Sequence, residues 1–207
     1  MIMIIKFMRL FIFLLQLQII MCQIRQENPI NLNCIINNLK YSDEYLYASN
    51  NIFTTGILII KNPHHNIYTI PIESVDDYRK IKWIITTQKG DQSNGTLSVT
   101  IMSYKGDYLC ASNLYHDLFN QRRRVYLKTN NSKKKVTKNC EWRLERVGDY
   151  IFKIWSDWLN EPLYSPSFFY KRDIIKRHVY LWKHQSKSSS DEYQWFIDCD
   201  KSISQQQ

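Results

Sequence analysis

The phrase EYLYAS at Glu44–Ser49 returns as DYLCAS at Asp107–Ser112, and in drifted form as EPLYSPS at Glu161–Ser167. Two more markers recur behind it in fixed order. A short alternating strand with a central tyrosine follows: NIYTIP (Tyr68), RRVYLK (Tyr126) and RHVYLW (Tyr180). A tryptophan strand comes next: IKWIIT (Trp83), CEWRLE (Trp142) and YQWFID (Trp195). From the central tyrosine to the tryptophan the steps are 15, 16 and 15 residues. From Tyr47, Cys110 and Tyr164 in the opening phrase to the tyrosine they are 21, 16 and 16. The extra residues of the first unit fall in the loop NNIFTTGILIIKNPHHN. Such regularity marks an internal repeat.

A fourth apolar run precedes each opening phrase: NCIINN, LSVTIMS and YIFKIWS. The runs are short, alternate with period two and are rich in β-branched or aromatic residues, so they read as strands. Each unit therefore offers four strands, and one unit cannot bury its own apolar face. Three units about a pseudo-threefold axis can close a small barrel capped by hairpins. The expected fold is all-β, a β-trefoil of three four-stranded units. A propeller needs more blades, and a β-sandwich would leave the constant spacing to chance. On this reading Leu46, Leu109 and Leu163 face one axis, Ala48, Ala111 and Ser165 take the next inward site, and Trp83, Trp142 and Trp195 form a core layer rather than a ligand site.

The chain has 207 residues and a formal net charge of +9, with only five glycines and five prolines. Its opening, MIMIIKFMRLFIFLLQLQIIMC, places Lys6 and Arg9 before the uncharged stretch Leu10–Ile24. That stretch has the length of a signal-peptide core and falls short of the roughly 20 apolar residues of a membrane span. The expected organisation is a signal peptide over 1–22, an N-terminal extension over 23–33, the trefoil over 34–199 and a disordered tail over 200–207. The expected product is a secreted, extracellular protein that is not integral to a membrane, with a net charge of +7 once Lys6 and Arg9 are removed.

Five cysteines are present, and losing Cys22 with the signal leaves Cys34, Cys110, Cys140 and Cys199. An even number suits an oxidising compartment and allows three pairings. A trefoil brings its termini together, which predicts Cys34–Cys199 and Cys110–Cys140. The sequons Asn94-Gly95-Thr96 and Asn130-Asn131-Ser132 make Asn94 and Asn130 the expected glycosylation sites.

The third unit, EPLYSPS…KRHVYLWKH…EYQWFIDC, resembles a family of small secreted β-trefoil proteins of flies and mosquitoes, with its L-Y-A-like phrase, basic pair, V-[FY]-x-W and W-x-[IL]-[ED]. The second unit matches in YLCAS, RRRVYL and EWRLE. The resemblance extends loosely to the trefoil half of moth haemolymph storage proteins and spans roughly Cys34 to Cys199. It implies secretion and fold, and no settled activity. The Gln-x-Trp of ricin-type lectins is absent: Ile81, Cys140 and Tyr193 stand two residues before the tryptophans. NCEWRLE is only loosely similar to fibroblast growth factors, and the N-terminal signature of Kunitz-type plant inhibitors is not seen.

Function has to be read from a site. The basic residues Arg122, Arg123 and Arg124 in the second unit, and Lys171, Arg172, Lys176 and Arg177 in the third, occupy related positions. Lys133, Lys134, Lys135 and Lys138 follow the second tyrosine strand. Their potentials can add into one face that attracts sulfated glycans, acidic lipids or acidic proteins, against the plainer alternative of a solvated surface. Trp158, in the turn IWSDWLNEP beside Asp157, Asn160 and Glu161, can stack on a sugar ring or seat in a partner's pocket. Nucleic acid is a poor partner for a secreted chain. His64, His65, His116, His178 and His184 belong to no metal or nucleophile motif, so no catalytic residue, metal or cofactor is expected. The leading expectation is a non-enzymatic binding protein for an anionic glycan or another extracellular macromolecule. The alternatives are a protease inhibitor or growth-factor-like ligand using one exposed loop, and a haemolymph-type storage or carrier protein.

Overall fold

The computed structural model describes residues 29–52, 65–88, 96–117, 121–130, 135–167, 175–183 and 190–200. The first unit contributes β1 (Asn31–Asn38), β2 (Glu44–Ile52), β3 (His65–Pro71) and β4 (Lys82–Thr87). The second contributes β5 (Thr96–Ser103), β6 (Tyr108–Asp117), β7 (Arg122–Lys128) and β8 (Trp142–Gly148). In the third, β9 (Ile151–Ser156) and β10 (Glu161–Tyr164) precede a strand split at Val179 into β11 (Arg177–His178) and β12 (Tyr180–Trp182), and β13 (Gln194–Asp200) ends the series. β1 takes in Asn31, Leu32 and Asn33, ahead of Cys34. The expected signal peptide lies outside the described residues, as do 201–207 of the tail.

The first and last strands of each unit form a closed ring. β1 pairs with β4, β4 with β5, β5 with β8, β8 with β9, β9 with β13, and β13 returns to β1, antiparallel throughout. Closure of this kind leaves the barrel no open edge. The second and third strands of each unit form a hairpin, and the three hairpins pair at one end. The cap obeys threefold register: His65 lies opposite Leu127, Arg123 opposite Leu181, and Arg177 opposite Thr69. The chain is a β-trefoil.

The core repeats the same symmetry. Leu46, Leu109 and Leu163 are fully buried, and so are Trp83, Trp142 and Trp195. Each indole N–H donates to the carbonyl of the leucine in its own unit, at 2.9, 2.8 and 3.0 Å. The opening phrase recurs because this strand supplies both an inward leucine and the acceptor for the indole. A tryptophan can be buried whole only when its polar edge is satisfied, and the leucine carbonyl does this three times.

The cysteines pair as Cys34–Cys199 and Cys110–Cys140. Cys34 and Cys199 face each other where β1 and β13 close the barrel. By loop-closure entropy the long bridge contributes about 5 kcal/mol and the short one about 3.5 kcal/mol.

Candidate functional site

Five residues before each core leucine, the turn entering β2, β6 or β10 carries an aromatic: Tyr41 in YSDEYL, Tyr104 in YKGDYL and Trp158 in WLNEPL. Gly106 and Asn160 both take left-handed backbone (φ 82° and 52°), which glycine and asparagine adopt at least cost. An acidic residue follows in each case, and Glu44, Asp107 and Glu161 are all buried.

The three aromatics differ in what covers them. The Arg177 guanidinium lies 4.0 Å from the Tyr41 ring centroid, and Lys40 stands at 5.7 Å. Arg79 and Lys105 each stand 5.7 Å from the Tyr104 ring. Among the described residues no cation stands over Trp158, which is 45% exposed.

The turn that presents Trp158 is held from several sides. Asp157 N–H donates to the Glu141 carbonyl at 3.1 Å, and Asn160 N–H to the Ser156 carbonyl at 2.8 Å. Leu159 packs against the core. The Arg143 guanidinium spans the turn, with Nη1 3.5 Å from Asp157 Oδ1 and Nη2 2.9 Å from Asn160 Oδ1. It also lies over the Trp155 ring at 5.7 Å. Trp155 in turn donates its indole N–H to Glu145 Oε2 at 2.7 Å. Register explains the grouping, because Arg143 pairs with Trp155 and Glu145 with Lys153 on the outward side of β8 and β9. The result is an open tryptophan beside fixed amide, guanidinium and carboxylate groups. Stacking plus a few oriented polar groups is the chemistry that recognises a sugar ring.

Two of the basic residues that the sequence grouped, Arg123 and Arg177, are held in ion pairs of the fold. Arg177 donates from Nε to both Glu44 oxygens at 2.7 and 2.9 Å and from Nη1 to the Ser167 carbonyl. Thr69 completes this buried network by donating its hydroxyl to Glu44 at 2.7 Å. Arg123 pairs with Glu161 at 3.0 Å and donates to the Asn113 carbonyl and the Tyr115 hydroxyl. Both arginines thus tie one unit to the next, and their guanidinium groups are committed inside the fold. Arg122 lies over the Tyr180 ring at 5.2 Å. Arg124 is half-buried, and burial lowers its guanidinium pKa. Lys176 is half-buried. Lys171, Arg172 and Asn94 lie outside the described residues, while Asn130 is exposed just past β7. Sequence reading found Trp158 but missed Arg143, Glu145 and Trp155. Aligning the three turns was the signal that would have exposed the site.

No family model matches the chain, and no curated protein matches it in sequence. Solved structures do match in fold. A Caenorhabditis elegans protein of unknown function superposes with TM-score 0.60 at 14% identity, covering 81% of this chain and 92% of that one. The SDF2-like protein of Arabidopsis thaliana gives TM-score 0.61 at 10% identity, covering 82% and 93%. A Culex salivary protein of the Cysteine and Tryptophan-Rich family gives 0.53 at 13% identity, covering 82% and 94%. The chain shares the β-trefoil fold with these proteins.

Proposed function

We propose that this chain is a secreted, non-enzymatic glycan-binding β-trefoil whose ligand stacks on Trp158. The observation that carries this reading is the contrast among the three equivalent turn aromatics: two stand under cations of the fold, and the third, among the described residues, has none and is 45% exposed on a braced turn. Asn160, Asp157 and Arg143 supply hydrogen-bonding groups beside it. Two disulfides suit an oxidising, extracellular setting. With Arg123 and Arg177 committed to internal ion pairs, stacking rather than net charge leads recognition at this site. Binding there should accordingly depend little on salt.

The test is a glycan array on the mature chain, followed by titration of the best glycan with intrinsic tryptophan fluorescence as readout. Trp158→Ala is expected to weaken binding at least roughly tenfold, the loss of about 1.4 kcal/mol of stacking. An empty array, or affinity unchanged by Trp158→Ala, would overturn the assignment.

A further inference from the structure

The hairpin cap of the second unit differs in charge from the other two. Two residues past the central tyrosine, the first and third units carry Ile70 and Trp182, both buried in satellite clusters. The second unit carries Lys128, half-exposed. The stretch leading to the tryptophan strand contains Asp76 and Asp77 in the first unit, which pair with Lys80 and Arg79, and Asp191 and Glu192 in the third. In the second it contains Lys135 and Lys138, both exposed.

Lys128 reaches one hydroxyl on a braced platform, and the exposed Lys135 and Lys138 flank that threonine in sequence. Lys128 Nζ donates to Thr137 Oγ1 at 3.1 Å, and Thr137 lies 3.4 Å from Cys140 Sγ. Cys140 is fixed to Cys110 by its disulfide. Asn139 donates its amide to the Ala111 carbonyl at 3.1 Å and to the Tyr126 hydroxyl at 2.9 Å, which pins the intervening turn. Among the described residues none of the three lysines is in an ion pair. The half-buried Glu141 is the nearest carboxylate in sequence. These lysines give the cap positive charge that no carboxylate among the described residues neutralises, which favours charge-assisted contacts to the oxygens of a sulfate group.

We propose that the cap of the second unit, with Lys128, Lys135 and Lys138, is a docking surface for sulfate groups of an extracellular glycan. It is separate from the Trp158 turn and does not depend on it.

The experiment is heparin-affinity chromatography and titration with a size-defined heparin oligosaccharide. It compares the wild-type chain, the triple variant Lys128→Gln/Lys135→Gln/Lys138→Gln, and a charge-matched control, Lys82→Gln/Lys105→Gln/Lys183→Gln, which removes exposed lysines elsewhere. Near-UV circular dichroism verifies folding of each. The cap variant is expected to elute at clearly lower salt and to raise the oligosaccharide Kd at least roughly tenfold, the fold-change of one lost charge-assisted contact. The control is expected to stay within about twofold of wild type, as is Trp158→Ala. Equal losses in cap variant and control would mean that net charge alone acts, and would overturn the site. Elution of the wild-type chain at or below ordinary buffer salt would overturn it as well, while leaving the Trp158 assignment standing.

Discussion

In the first unit the seat beside the cap hairpin is filled by Tyr47, Tyr68, Ile70 and Ile81; in the third it is filled by Tyr164, Tyr180, Trp182 and Tyr193. In the second unit the positions of Tyr47 and Ile81 hold Cys110 and Cys140, joined as a disulfide. The barrel beneath is the same in all three units. One seat can therefore be closed by ring contacts, such as Tyr164 with Trp182 at 5.1 Å, or by a covalent bond. The covalent solution needs little side-chain volume. It leaves the neighbouring outward position open to a lysine, where burial under aromatic rings would forbid an uncompensated charge. The chemistry of each cap follows from how its seat is filled.

The junctions between units show a parallel difference. Arg177 crosses from the third unit to Glu44 of the first, and Arg123 from the second to Glu161 of the third. Between the first and second units the matching position holds His65, whose Nδ1 lies 3.2 Å from the Asn50 carbonyl. Asp107, at the site of the paired glutamates, makes no ion pair among the described residues.

The largest effects test the shared barrel. Trp83→Ala, Trp142→Ala and Trp195→Ala should each cost about 3–5 kcal/mol in urea unfolding. Unequal costs, with one tryptophan nearly dispensable, would break the symmetry on which the comparison stands. At the junctions, Glu44→Ala leaves Arg177 buried and uncompensated and should cost about 3–5 kcal/mol. Asp107→Asn at the unpaired junction should cost less than about 1 kcal/mol, and a matching loss there would erase the distinction. Replacing both Cys110 and Cys140 by alanine should lower stability by about 2–4 kcal/mol in the same assay. The smallest effect concerns pH at the cap of the first unit. The Lys80 ammonium and the Tyr47 hydroxyl both donate to Asp76 and hold its carboxyl below the usual range. The stabilisation is complete above the ordinary carboxylate pKa and is lost as pH falls through it toward the lower folded value. Asp76→Asn should flatten that part of the acid-side stability profile, and an unchanged slope would assign it to other carboxylates.

Particular residues show how far the sequence reaches. Spacing and residue class alone gave the threefold repeat, the four strands per unit, the inward leucines and the tryptophan layer. These are properties of local periodicity and of burial, and both are written along the chain. Spacing also located the two disulfides, because a closed barrel brings Cys34 and Cys199 together. Charge was read less well. Arg123 and Arg177 resemble surface residues beside Arg122 and Lys176, since sequence records that a residue is charged and not which carboxylate another unit brings to it. Glu44 and Glu161 lie 133 and 38 residues from their partners. The sequence by itself determined a barrel of three copies and the aromatic at each turn. Only the tertiary structure decided which arginines stitch the units together and, among the described residues, which turn aromatic has no cation over it and which cap has lysines outside ion pairs, because long-range electrostatic pairing depends on distances that only the closed fold creates.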